Sequence, residues 1–157
     1  MVAIISVVSQ IAIPLPSMVP ITLQTFVVAL CGYLLGVKKG SITLVAYILL
    51  GLVGAPVFAS FQGGVSAIIG YTGGFIIGFI PFCALCGMFR RRLNAIVAGI
   101  VGAFILHLLG VLWYMYLSDN TFITAFIVVS LPYIAKDIVF IPLAYFVADK
   151  LKTKIEI

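Results

Sequence analysis

Long apolar runs separated by short breaks dominate the chain. The breaks contain prolines, paired glycines or consecutive basic residues, which commonly end helices. Between the breaks, the pattern predicts helices over about residues 22–37, 41–59, 66–89 and 93–117. Because about 20 predominantly apolar residues can cross the hydrocarbon core of a bilayer, these runs predict membrane-spanning helices.

Both ends of the chain depart from this spacing. Residues 1–13 are apolar but fall short of the roughly 17 residues that a spanning helix needs, so the first helix is expected to be short or truncated. The last apolar region, 121–148, has 28 residues and would form a helix of ~42 Å, longer than the ~30 Å hydrocarbon core. Pro132 removes a helix donor and disfavours helix before it, which predicts a short surface helix over 121–130 and a sixth long helix over about 132–148.

Composition agrees with a single membrane domain over residues 1–157. Hydrophobic residues make up 64% of the chain and charged residues only 8%. Soluble domains contain roughly 25% charged residues, so a soluble core is excluded. The predicted fold is an all-α integral membrane protein, a bundle of six transmembrane helices.

The distribution of charge predicts an orientation and excludes nucleic acid as a partner. The net charge is +5, but the basic residues lie in short breaks and form no basic stripe interleaved with aromatic residues. If the spans alternate in direction, eight of the nine basic residues fall on one side of the membrane. These are Lys38, Lys39, Arg90, Arg91, Arg92, Lys150, Lys152 and Lys154. Because short cytoplasmic loops are enriched in Lys and Arg, that side is predicted to be cytoplasmic, with both termini inside.

The ninth basic residue, Lys136, stands beside Asp137 near the predicted outer end of the last helix. A charge at the centre of a bilayer costs about 2.5–3.5 kcal/mol, and ionisable residues in spans commonly mark functional sites. One interpretation is a structural pair, although adjacent helical side chains point about 100° apart and do not automatically meet. The favoured interpretation is a polar pocket in which Lys136 attracts an anionic group and Asp137 accepts hydrogen bonds from N–H donors.

Other residues that could carry chemistry have simpler interpretations. Cys31, Cys83 and Cys86 lie inside apolar runs without a second pair or a nearby His to complete a zinc site, so no metal is expected. The one histidine, His107, lies mid-helix and is interpreted as a hydrogen-bonded packing residue rather than a catalyst. No nucleophile–base pair and no second intramembrane acid are apparent, so an enzyme is disfavoured. The GxxxxGK[ST] phosphate loop is also lacking, so no ATP-hydrolysing site is encoded.

Four strings, taken in order, are more distinctive than the general apolar pattern of the chain. These are "IPLPSMVPITLQTF" (13–26), "GAPVFASFQGG" (54–64), "GYTGGFIIGF" (70–79) and "LPYIAKDI" (131–138). Together they resemble the BioY family, the biotin-binding substrate component of energy-coupling-factor (ECF) vitamin transporters, over nearly the whole chain. The resemblance implies a six-helix S-component fold, a biotin pocket at the outer face, and assembly with a transmembrane coupling protein and two cytoplasmic ATPases. Biotin has a carboxylate and a ureido ring, to which Lys136 and Asp137 would be complementary.

The resemblance also implies which residues form the sites. The implied ligand-binding residues are Thr22, Gln24, Phe61, Gln62, Gly63, Gly64, Tyr71, Thr72, Gly73, Gly74, Tyr114, Lys136 and Asp137. Ala3 and Ser6 on the first helix are implied to dock the coupling protein. No cofactor is expected beyond biotin as the transported ligand, and the sequence leaves open whether the chain works alone, as a homo-oligomer or only with its partners.

Four positions depart from the strings that are usual in the family. Tyr71 and Phe75 stand where Pro and Tyr are usual, Lys136 stands at a Gly position, and Phe140 stands at a Lys position. Residues 136 and 140 lie one turn apart on the same helix face, so Lys136 is expected to supply the cation. The departures keep open an S component for a different small vitamin-like ligand. A structural membrane module, which would bind no small molecule, is a separate alternative.

Overall fold

Seven helices and one small β-ribbon make up the computed structural model, which describes residues 1–89 and 91–155. The helices are α1 (Val2–Val8), α2 (Gln24–Leu52), α3 (Val65–Ile69), α4 (Gly73–Cys86), α5 (Arg92–Ser118), α6 (Phe122–Val129) and α7 (Leu131–Ile155). The two-residue strands β1 (Ala12–Ile13) and β2 (Ile21–Thr22) pair in antiparallel fashion between α1 and α2. A short 3₁₀ turn, Ala59–Phe61, precedes α3.

Of the described helices, α5 and α7 are each long and apolar enough to cross a membrane, and α2 reaches a comparable length only when its two arms are counted together. α4 is a shorter apolar helix that packs between α2 and α5. The predicted all-α membrane bundle is therefore confirmed. Arg90, one of the eight basic residues used to predict the orientation, lies outside the described residues.

α2 is a helical hairpin whose reversal is at Gly36. Gly36 has φ 75° and ψ 178°, a conformation that glycine adopts without the steric cost of a Cβ atom. Past this turn the chain runs back along itself, so that a Cβ atom on Gly40 would lie 3.5 Å from the Gly32 Cα. The two arms, residues 24–35 and 37–52, correspond to the predicted helices over 22–37 and 41–59. The second arm ends early because Gly54 has φ +99° and Pro56 disfavours helix before it.

The helix predicted over 66–89 is divided into α3 and α4. The chain turns at Gly70, which has an extended backbone, and α4 restarts at Gly73. A Cβ atom at residue 73 would lie only 1.7 Å from the Ile68 carbonyl oxygen, so glycine permits this close approach. An apolar run with helical spacing gives no sign of such a turn, which is why the sequence predicts one helix.

Small residues bring the central helices close together. A Cβ atom on Gly32 would meet the Cys83 carbonyl oxygen at 2.3 Å, and one on Gly78 would meet the Leu106 Cδ1 at 2.9 Å. These glycines therefore pack α4 against α2 and α5 within the chain, as small residues do in membrane bundles. The three cysteines are buried free thiols, and no group of metal-ligating side chains occurs within the described ranges.

The end of the chain follows the proline-based prediction. The short helix predicted over 121–130 is α6, and Pro132 lies in the first turn of α7, where its missing N–H removes no helical hydrogen bond. α7 extends beyond the predicted 132–148 and carries Lys152 and Lys154 in its last turn, where cations interact favourably with the helix dipole.

Candidate ligand-binding site

A cavity of about 60 Å³, lined in part by polar side chains, lies where α2, α4, α5, α7 and the 3₁₀ turn converge. Apolar surface makes up most of its wall, and about half of the lining residues are polar, so several hydrogen-bonding groups meet in one cavity as they do in small-molecule sites. The lining residues are Val19, Pro20, Thr22, Gln24, Thr25, Phe58, Ala59, Gln62, Thr72, Phe75, Ile76, Phe79, Leu106, His107, Tyr133, Lys136 and Asp137.

Asp137, on α7, is the centre of a hydrogen-bond network in the cavity wall and is only 2% exposed. Its Oδ1 accepts a hydrogen bond from Thr25 Oγ1 on α2 at 2.6 Å. Its Oδ2 lies 3.0 Å from His107 Nε2 on α5. Because a buried carboxylate is costly unless it is paired and hydrogen-bonded, these contacts explain how the bundle tolerates Asp137.

Lys136 completes the network from the same helix as Asp137. Its Nζ donates to Asp137 Oδ1 at 2.5 Å and to Thr25 Oγ1 at 2.7 Å. Since neighbouring helical side chains diverge by about 100°, the flexible lysine stem must fold back to place its ammonium there. Lys136 and Asp137 thus pair with each other and also line the cavity, and their role in binding a ligand stays a prediction.

His107 is buried and takes part in this network, which agrees with its interpretation as a hydrogen-bonded packing residue. The ring is buried, and its Nε2 lies within hydrogen-bond distance of Asp137 Oδ2. Because a carboxylate only accepts hydrogen bonds, the contact with a carboxylate requires an N–H group at Nε2. The other ring nitrogen, Nδ1, is buried and has no hydrogen-bond partner in the described part of the chain. His107 and Thr25 were not among the predicted site residues, because they lie 30 and 112 positions from Asp137 and no local motif links them.

A second cavity of about 240 Å³ lies between α5, α6 and α7 and shares His107 and Asp137 with the first. Its other lining residues are apolar, such as Phe104, Phe126 and Ile141. It therefore offers a ligand no polar group beyond those already in the first cavity. We take the first cavity, with its additional polar side chains, as the candidate site.

Comparison with known proteins assigns the chain to a family. The BioY family model matches residues 1–156. This chain belongs to the BioY family. A "Probable biotin transporter BioY" from Pyrococcus horikoshii is 38% identical over 151 residues, covering 96% of this chain and 91% of that protein. The "Biotin transporter BioY" from Thermotoga maritima is 36% identical over 160 residues, covering 99% and 92% respectively.

A solved structure extends the likeness to three dimensions. The crystal structure of the S component for biotin from an ECF-type ABC transporter matches with a TM-score of 0.87 and 25% sequence identity. The match covers 97% of this chain and 86% of that chain. The fold is therefore that of an ECF S component, as the sequence strings of the BioY family implied.

Six of the residues predicted for ligand binding line the cavity in this BioY protein. They are Thr22, Gln24, Gln62, Thr72, Lys136 and Asp137. Two of them are already linked to each other and to the second arm of α2, since Thr22 Oγ1 donates to Gln24 Oε1 and Gln24 Nε2 donates to Tyr47 Oη, each at 3.0 Å. The cavity wall thus contains a hydrogen-bonded cluster around Asp137 and a second one formed by Thr22 and Gln24 near the start of α2.

The other predicted residues lie around the cavity and do not line it. Phe61 is 70% exposed, and Tyr71 packs beside Tyr114 with ring centroids 5.3 Å apart. Gly63, Gly73 and Gly74 allow close backbone packing, and Gly64 adopts φ +84° at the start of α3. Tyr133 and Phe75, which were not predicted, belong to the wall, and the Tyr133 hydroxyl donates to the Val19 carbonyl oxygen.

The residues predicted for partner docking lie on α1. Ala3 is exposed and stands near Ile4 and Val7, which are also exposed, whereas Ser6 is half-buried and donates to the Val2 carbonyl oxygen. The exposed side of this short helix is therefore apolar. Docking of a coupling protein there stays a prediction.

Proposed function

We propose that this BioY-family protein binds biotin in the cavity around Asp137 and acts as the substrate-capture subunit of an ECF-type vitamin transporter. The names of its relatives and the matched S component for biotin support this proposal. The alternatives that the sequence left open, another vitamin-like ligand and a structural module, gain no support from the comparisons.

The observation that carries the proposal is a buried carboxylate, oriented by two other helices, in the wall of an otherwise mostly apolar cavity. Thr25 and His107 hold the two oxygens of Asp137 from α2 and α5. The ureido ring of biotin presents N–H donors, for which a fixed and desolvated carboxylate is a strong acceptor. Aromatic residues such as Phe75, Phe79 and Tyr133 would cover the apolar rings and chain of the ligand.

The proposed orientation places this cavity at the outer face. A third cavity brings Gly36, Phe89 and Lys152 together at one end of the bundle, so the α2 turn and the end of α7 lie near each other. The basic residues Lys38 and Lys152 belong to this end. Because cytoplasmic loops carry an excess of Lys and Arg, we propose that this end is cytoplasmic. Asp137 lies toward the other end of α7, so biotin would enter from outside and be delivered inward.

The proposed partners are a transmembrane coupling protein and two cytoplasmic ATPases. The description of the matched structure, an S component of an ECF-type ABC transporter, supports such an assembly. The exposed apolar side of α1, with Ala3, is the proposed contact with the coupling protein.

Isothermal titration of the purified protein with biotin tests the function. We expect saturable binding with one biotin per chain, and weaker binding of biotin methyl ester, which lacks the anionic carboxylate. Failure to detect binding by a folded, monodisperse sample would contradict the assignment.

A further inference from the structure

We infer that Lys136 is an exchangeable internal ligand of the site, which competes with the N–H donors of the substrate for Asp137 and then binds the anionic end of the same substrate. This inference rests on the proposed function and adds a mechanism by which ligands without an anionic group are excluded.

The competition follows from how the oxygens of Asp137 are occupied. A carboxylate offers about four acceptor sites. Oδ1 accepts from both Lys136 and Thr25, and Oδ2 accepts from His107. A ligand N–H group that approaches Oδ1 therefore meets an ammonium that is already bonded there. Oδ2, with one donor, keeps an acceptor site, so the competition concerns a ligand N–H group that binds Oδ1. With two donors already bonded there, strong binding through Oδ1 requires that one of them leave.

Lys136 is the donor that can leave. Its side chain is 16% exposed and joins the ammonium to α7 through a flexible four-carbon stem. Thr25 and His107 are buried, and their short side chains are fixed on α2 and α5. When the ammonium leaves, these two residues still hold the carboxylate in place, so Asp137 keeps its orientation for the ligand.

The size of the cavity also favours movement of Lys136. In the arrangement with Lys136 on Asp137, the cavity measures about 60 Å³, whereas sites for drug-sized ligands span roughly 300–1,000 Å³. Lys136 belongs to the wall, so its departure from Asp137 would also enlarge the space beside the carboxylate. Movement of Lys136 away from Asp137 would thus enlarge the cavity and also free an acceptor site on the carboxylate.

After the exchange, both Asp137 and the Lys136 ammonium have a partner only if the ligand carries N–H donors as well as an anionic group. Biotin supplies N–H donors to Asp137 and a carboxylate to the displaced ammonium at its other end. A neutral ester supplies only the donors and leaves the ammonium unpaired near a mostly apolar cavity, which is costly. Lys136 would therefore strengthen binding of the acid and weaken binding of the ester.

The test measures dissociation constants of biotin and biotin methyl ester on the wild type, Lys136→Met and Lys38→Met. In Lys136→Met, biotin should bind roughly 10–100-fold more weakly, as expected for a lost charge-assisted hydrogen bond. The ester should bind the same variant several-fold more tightly than it binds the wild type, because no ammonium has to be displaced. Lys38 is an exposed residue of the α2 turn, so Lys38→Met should change neither constant.

The opposite response of the two ligands is the decisive result. If the ester binds Lys136→Met no more tightly than the wild type, the exchange is refuted even when biotin binding is intact. If the wild type binds no biotin, the proposed function itself fails. Should Lys136→Met not fold, Lys136→Ala replaces it as a second variant without a donor for Asp137, and the same gain for the ester and loss for biotin are expected.

Discussion

Replacement of His107 separates a role in the network from a role in packing. His107→Leu removes the Nε2 donor that lies 3.0 Å from Asp137 Oδ2, whereas His107→Gln can place an amide N–H at about the same position. A hydrogen bond to a charged group contributes about 1.5–3 kcal/mol to stability. For a chain of this size, 1 kcal/mol shifts the unfolding midpoint by roughly 2–4 °C, so His107→Leu should unfold about 3–12 °C below His107→Gln.

Thermal unfolding in detergent, followed by intrinsic fluorescence, measures this difference. Trp113, the one tryptophan of the chain, lies two turns beyond His107 on α5 and reports on the same helix. The comparison uses the two variants because both remove the unpartnered Nδ1. If His107→Leu is as stable as His107→Gln or more stable, His107 is a packing residue and its contact with Asp137 contributes little.

Three further predictions concern the packing around the site. Thr25→Val keeps the shape of the side chain but removes its hydroxyl, and should lower the free energy of unfolding by about 1.5–3 kcal/mol, whereas Thr25→Ser should stay near the wild type in the same melts. Gly32→Val would place its side chain against the Cys83 carbonyl oxygen and should lower the unfolding midpoint by the equivalent of about 1–3 kcal/mol, and an unchanged midpoint would contradict the close α2–α4 approach. The fully buried thiols of Cys31, Cys83 and Cys86 should react with a maleimide only after unfolding, and labelling of the folded protein counted by mass spectrometry would contradict their burial.

The sequence predicts helix boundaries well where the break between two apolar runs contains a proline or consecutive basic residues. Pro132 marks the boundary between α6 and α7 because proline disfavours helix in the residue before it. The reversal at Gly36 lies beside the basic residues Lys38 and Lys39, so the sequence predicts two helices there, and these are the two arms of α2. The turn between α3 and α4 escapes prediction because its glycines resemble those that only pack helices.

Only part of the site can be predicted from the sequence, namely the residues whose chemistry is unusual for their surroundings. Asp137 and Lys136 are visible because charges in an apolar run are costly and therefore conspicuous. Thr25 and His107 are ordinary residues in their own helices, and only the folded bundle brings them within 3.0 Å of the carboxylate. The folding back of Lys136 depends on these partners and cannot be inferred from helix geometry alone.

Titration of biotin into Asp137→Asn and Asp149→Asn tests the central claim most directly, that the buried carboxylate on α7 is the acceptor for the ligand. Asp149 is exposed near the other end of the same helix, so its substitution is a matched control. Loss of a charge-assisted hydrogen bond of about 1.5–3 kcal/mol predicts roughly 10–100-fold weaker binding to folded Asp137→Asn. Asp149→Asn should bind biotin as the wild type does, and equal affinity of both variants would contradict the account.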